Sequence, residues 1–166
     1  MIGADLSDKR VLVLGAEAEL GREIAAALAG AGARVAVVAS SAAPDAAFAV
    51  QRLARRLSTP ERPVVAQAID ATNEMAVRVM VRQVSKQMGG LDGIVFCMDR
   101  ARPFEQALAL ALRFGAKELA RGGGGRFVTV GGAPGEALPG IELVRVEPAG
   151  AEVAAEVVRA VAGRRP

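Results

Sequence analysis

The chain has 166 residues, is 52% hydrophobic and carries a net charge of +3; that suits one domain over residues 1–166 and is too short for two ordinary ones. Its apolar runs are broken by Arg, Glu or Gly before the roughly 18 residues that a membrane-spanning helix needs, and the short polar start is not a secretory leader, so a soluble protein is expected. The single cysteine, Cys97, excludes an internal disulfide and suits a reducing cytoplasm.

In chain order, the apolar run Val11 to Leu14 ends in Gly15, a helical pattern passes through Ile24, Leu28 and Ala31, and a second strand covers Val35 to Val38. A helix from about Asp45 to Leu57 carries the densest arginine group. Arg52, Arg55 and Arg56 share the face opposite Val50, Leu53 and Leu57. This reads as a solvated face; no aromatics interleave to stack on bases, so no nucleic-acid partner is expected. Then come a strand near Val64 to Ile69, a helix from about Asn73 to Met88 and a strand from Gly93 to Cys97. A helix from about Phe104 to Ala120 leads through the turn Gly122 to Gly125 to a strand from Arg126 to Val130. A strand from Ile141 to Val146 and a helix from about Ala151 to Val161 close the order.

Such alternation predicts a parallel sheet covered by helices on both faces, because right-handed crossovers lay each helix over the sheet. The fold class expected is a three-layer, doubly wound α/β domain of about six strands, Rossmann-like. One connection breaks the rule. Between Val130 and Ile141 stand ten residues with two prolines, four glycines and no helical period. A parallel crossover usually takes a dozen residues or more and a helix, and ten extended residues span at most about 35 Å. The helix between strands five and six is therefore missing, and part of one sheet face should be bare.

Several segments in this order resemble the short-chain dehydrogenase/reductase family. Asp8 to Gly15 looks like its first strand entering a TGxxxGxG loop, and Asp70-Ala71-Thr72 like its Asp-x-Thr. Gly89 to Val95 matches the run into strand four, and Ala101-Arg102-Pro103-Phe104 is similar to the segment that commonly comes after that strand. Gly124 to Val130 resembles strand five, and Gly140 to Pro148 strand six with its trailing proline.

The resemblance makes Gly15, Gly21, Ser40 and Asp70 the cofactor-binding positions, with Asp70 bordering an adenine. In a dinucleotide loop the first glycine makes the tight turn, the second lets the backbone approach the pyrophosphate and the third permits close helix packing. Gly15 and Gly21 keep the first and third places, and Glu19 takes the second, adding a side chain and a negative charge. With Glu17 beside it, a carboxylate can use the helix N-terminus in place of a ligand. After strand two, Ser40 and Ser41 offer hydroxyls but neither an acid for a ribose nor an arginine for a 2′-phosphate; Arg22 reads as solvated. The family's Asn-Asn-Ala-Gly after strand four reads here as Phe96-Cys97-Met98-Asp99. NAD(P) binding is expected to be weakened by Glu19, and no cofactor is assigned.

The family's chemistry uses a Tyr, a Lys, a Ser and an Asn. The chain has no Tyr and no His; its last Lys is Lys117, its last Ser is Ser85 and its only Asn is Asn73. The serine's place falls on Gly132, and the missing helix is the one that carries Tyr and Lys. Cys97, without a histidine partner, reads as a buried structural thiol, and Asp99 with Arg102 as a local ion pair. No catalytic residue and no metal site are assigned.

The function expected is a non-catalytic subunit that stabilises or regulates a partner in a homo- or hetero-oligomer, an active dehydrogenase of the same family being one such partner. In the family the missing helix and the one over Leu108 to Leu119 form the usual subunit interface, so a partner or a second copy should bury the face left open. The alternative is an NAD(P)-binding oxidoreductase component whose missing groups come from a partner chain; a scaffold without a partner is a third class.

Overall fold

A computed structural model describes residues 5–100, 103–133, 135–136, 138–149 and 152–163. The elements run β1 (Arg10–Leu14), α1 (Glu19–Gly30), β2 (Arg34–Ala39), α2 (Pro44–Leu57), β3 (Val65–Ala68), α3 (Glu74–Met88), β4 (Gly93–Phe96), α4 (Phe104–Arg121), β5 (Gly125–Val130), β6 (Ile141–Val146) and α5 (Val153–Ala162). Local signals set several ends. Pro44 opens α2, where its missing N–H costs nothing. The Asn73 side chain accepts from the Ala76 N–H and caps α3, and Gly89 ends it in the left-handed conformation.

All strand pairs are parallel, and the sheet order is β3-β2-β1-β4-β5-β6. Successive side chains point to opposite faces, which sorts the core into two layers. Val11, Val13, Val35, Val37 and Val128 pack under α1, α2 and α5. Leu12, Leu14, Val38, Ile94, Phe96 and Phe127 pack under α3 and α4. The reversal of winding falls between β1 and β4, so the crevice at their carboxyl ends is where this architecture takes ligands.

β6 pairs with β5 over its full length, Gly125 opposite Ile141 and Val130 opposite Val146, with no helix between them among the described residues. The bare face is smaller than the sequence implies. α4 reaches past β5 onto the start of β6 and leaves Ile141 only 5% exposed. Leu112 and Leu143 are half-buried in that cluster, and Leu138 in the connection is the one large apolar side chain exposed there among the described residues. Eighteen residues of α4 do part of the work of the absent helix. Among the described residues no helix is long and apolar enough to cross a membrane.

Candidate functional site

The turn after β1 depends on two glycines. Gly15 has φ 103°, and a Cβ there would stand 2.9 Å from the backbone of Cys97 and Met98 at the end of β4. Gly21 lies in the first turn of α1, where a Cβ would stand 2.1 Å from the Gly15 carbonyl oxygen. One residue allows the turn and the other allows the helix to sit against it, the two roles the sequence assigns to them.

Between them, Glu17 crosses the crevice. Its carboxylate accepts from the backbone N–H of Ser40 at 3.0 and 3.1 Å and from the Ser40 hydroxyl at 2.5 Å. Ser40 is only 3% exposed, so both donors at the end of β2 are spent inside the chain. The Ser41 hydroxyl accepts from the Ala43 N–H at 3.1 Å. Glu17 thus turns toward β2 and away from the helix end, correcting the expectation that it would hold the N-terminus of α1. Glu19 is the acidic residue of that first turn and is exposed; Ala18 precedes it without a side-chain cap. Arg22 is not simply solvated: its guanidinium donates to the Glu17 carbonyl at 2.7 Å and braces the loop. Sequence reasoning named Glu17 and Ser40 but gave no sign that they meet, since 23 residues separate them.

Cys97 lies beneath this loop and donates weakly to the Leu14 carbonyl. Burial, aided by the negative charge of Glu17, pushes its thiol up to about 12. A thiol held neutral there is no nucleophile near neutral pH.

Asp70 follows β3 and is exposed. Its carboxylate accepts from the backbone N–H of Thr72 at 2.9 Å and from the Thr72 hydroxyl at 2.6 Å, closing a turn into α3. The Asp-x-Thr pair is visibly a structural turn, whatever else it borders. Asp99 is exposed at the end of the β4 segment; Arg102, its expected partner, lies outside the described residues.

At the carboxyl end of β5, Gly132 takes φ 75°, and a Cβ there would stand 2.5 Å from Cε1 of Phe104 and 3.1 Å from Cδ2 of Leu108. The position that the resemblance gives to a serine is thus closed over by side chains of α4. The surrounding groups are tied up as well. The buried Thr129 hydroxyl donates to the Gly131 carbonyl at 2.7 Å, and the Arg145 guanidinium to the Gly132 carbonyl at 2.6 Å. No three His, Cys, Asp or Glu side chains among the described residues gather into a metal site.

The family model for short chain dehydrogenases matches residues 9–109. Among similar solved structures, a short-chain type dehydrogenase/reductase from Mycobacterium ulcerans is 29% identical, with a TM-score of 0.64 over 76% of this chain and 52% of that one. One from Mycobacterium marinum is 27% identical, with a TM-score of 0.65 over 76% and 56%. A 3-ketoacyl-(acyl-carrier-protein) reductase from Brucella melitensis complexed with NADH shares the fold at 19% identity, with a TM-score of 0.60 over 76% and 57%. The chain spans about half the length of these structures. No curated protein matches it in sequence. The family match covers more than half of the chain, its sheet order is that of a doubly wound nucleotide fold, and the chain belongs to the short chain dehydrogenase family.

Proposed function

We propose that this chain is a non-catalytic member of an oxidoreductase family, acting in the cytoplasm as a subunit that stabilises or regulates a protein partner. The observation that carries the reading is Gly132: Phe104 and Leu108 fill the space that a side chain binding a substrate oxygen would need. The segment that would bring a tyrosine and a lysine to the same place is absent between β5 and β6.

NAD(P) does not fit the crevice as folded. The Ser40 donors that would meet a ribose or phosphate are held by a carboxylate, and Glu19 adds a second negative charge at the loop. An anionic ligand would have to displace the first and tolerate the second.

A second reading, an NAD(P)-binding component completed by a partner chain, draws support from Gly15 and Gly21, whose close backbone approaches are those of a dinucleotide loop. Thermal unfolding with millimolar NADH or NADPH separates the two. The first reading expects no shift. A rise of several degrees that Gly15→Asp abolishes would overturn it in favour of the second.

A further inference from the structure

The outer surface where α1 meets α2 combines charge and apolar area in a way the fold does not use. A groove of about 490 Å³ is lined by Arg22, Ala49, Arg52, Leu53 and Arg56. A shoulder of about 300 Å³ shares Arg52 and adds Phe48, Arg55 and one carboxylate, Asp45. Arg52, Arg55 and Arg56 make no ion pair among the described residues, and Arg22 donates to a carbonyl. Phe48, 64% exposed, is the most exposed large apolar side chain among the described residues.

The groove between α3 and α4 is also basic but differs in kind. There Arg113 pairs with Glu74 and Arg121 with Glu118, each at 3.1 Å, so carboxylates of the chain itself offset part of the charge. At α1–α2 Arg22, Arg52 and Arg56 line the groove, Arg52 and Arg55 line the shoulder with Phe48, and Asp45 is the one carboxylate lining either.

We propose that the α1–α2 surface docks an acidic segment of a partner protein, with one large apolar side chain of that segment seated beside Phe48. Guanidinium groups bind carboxylates with two parallel hydrogen bonds, and arginine and aromatic residues dominate the energy of protein interfaces. A nucleic-acid strand would need successive stacking platforms, and one ring provides a single one. A bilayer would take up the apolar face of an amphipathic helix, but the apolar face of α2, Ala46, Val50 and Leu53, is already buried against the sheet. This deepens the reading of the chain as a partner-binding subunit and moves the contact from the β6 side to the opposite face of the sheet.

The test is fluorescence anisotropy of a labelled peptide, Glu-Glu-Asp-Leu-Phe-Asp-Glu-Glu, titrated with the full chain at low salt. Binding with a Kd on the order of 10 µM is expected. The double variant Arg52→Glu, Arg56→Glu should weaken it about tenfold or more, and Phe48→Ser about threefold. Arg82→Glu, an exposed arginine of the other groove, should leave it unchanged, and circular dichroism should show every variant folded. No binding at about 1 mM peptide overturns the proposal. So does equal binding of a peptide with Ser-Ser for Leu-Phe, or equal weakening by Arg82→Glu. Tighter binding of an equally charged oligonucleotide or phosphatidylserine vesicle through the same arginines would also reject a protein occupant. NADH titrated into the same samples reports separately on the non-catalytic reading: nucleotide binding would count against that reading and leave the peptide result standing.

Discussion

The turn after β1 and the turn after β5 both rest on glycine, and the two turns have opposite consequences. At Gly15 and Gly21 the atoms a Cβ would meet are backbone, so glycine keeps main chain against main chain and preserves the tight turn into α1. At Gly132 the nearest atoms belong to the Phe104 and Leu108 side chains, so glycine lets the core close over the end of β5. Glycine in a family motif therefore carries no fixed meaning; the atoms nearest its missing Cβ decide whether it serves a ligand or seals a site.

Substitutions can break or sharpen this contrast. The largest effect is expected at Gly21, where the neighbour is rigid backbone: Gly21→Ala should cost about 3 kcal/mol or more in urea unfolding. Tolerance within about 1 kcal/mol would mean that the loop yields and that its dinucleotide shape is not fixed. At Gly132 the neighbour is a ring that can be shortened. Gly132→Ala should cost about 2 kcal/mol alone and about 1 kcal/mol in a Phe104→Leu background, the remainder being left-handed backbone strain. Equal cost in both backgrounds would show that the ring does not seal the site.

The smallest effect is expected where the two halves are clipped together at the other end of the sheet. Asp92, at the start of β4, accepts from the Arg10 N–H at 2.9 Å and from its Nε at 3.0 Å. Burial raises the Asp92 carboxyl, but the bonds from Arg10 outweigh it and hold the group below its ordinary value. The folded state thus binds the proton less readily than the unfolded chain, and stability is present above about pH 4 and lost as pH falls through the lowered value. Asp92→Asn should cost about 1 kcal/mol at pH 7, and the difference from the parent chain should shrink in acid. A difference independent of pH would show that the charge on Asp92 is not what matters.

Periodic features were legible in the sequence. The strand from Ile141 to Val146 has the bounds that alternation and turn glycines imply, and α2, α3 and α4 differ from expectation by one residue at an end, where a cap such as Asn73 stands just outside the helix. The absent crossover helix was legible too, because a ten-residue gap rich in glycine and proline cannot hold it. Pairings between distant residues were not. The contact of Glu17 with Ser40, the closure of Phe104 over Gly132 and the reach of α4 onto Ile141 depend on how elements stack, and local propensity carries no trace of that. The same limit hid the grouping of Arg22 with Arg52 and Arg56, since each helix alone reads as amphipathic and solvated.

The bond between Glu17 and Ser40 has a consequence for how the fold is maintained. A protein that binds a free nucleotide gains stability by mass action, so its folded fraction rises and falls with the supply of that nucleotide. A carboxylate tethered to the same loop is always at hand, at an effective concentration set by the chain and independent of metabolism. Through this contact the donors at the end of β2 are met by a group of the chain itself, and that bond holds whatever the supply of a free ligand.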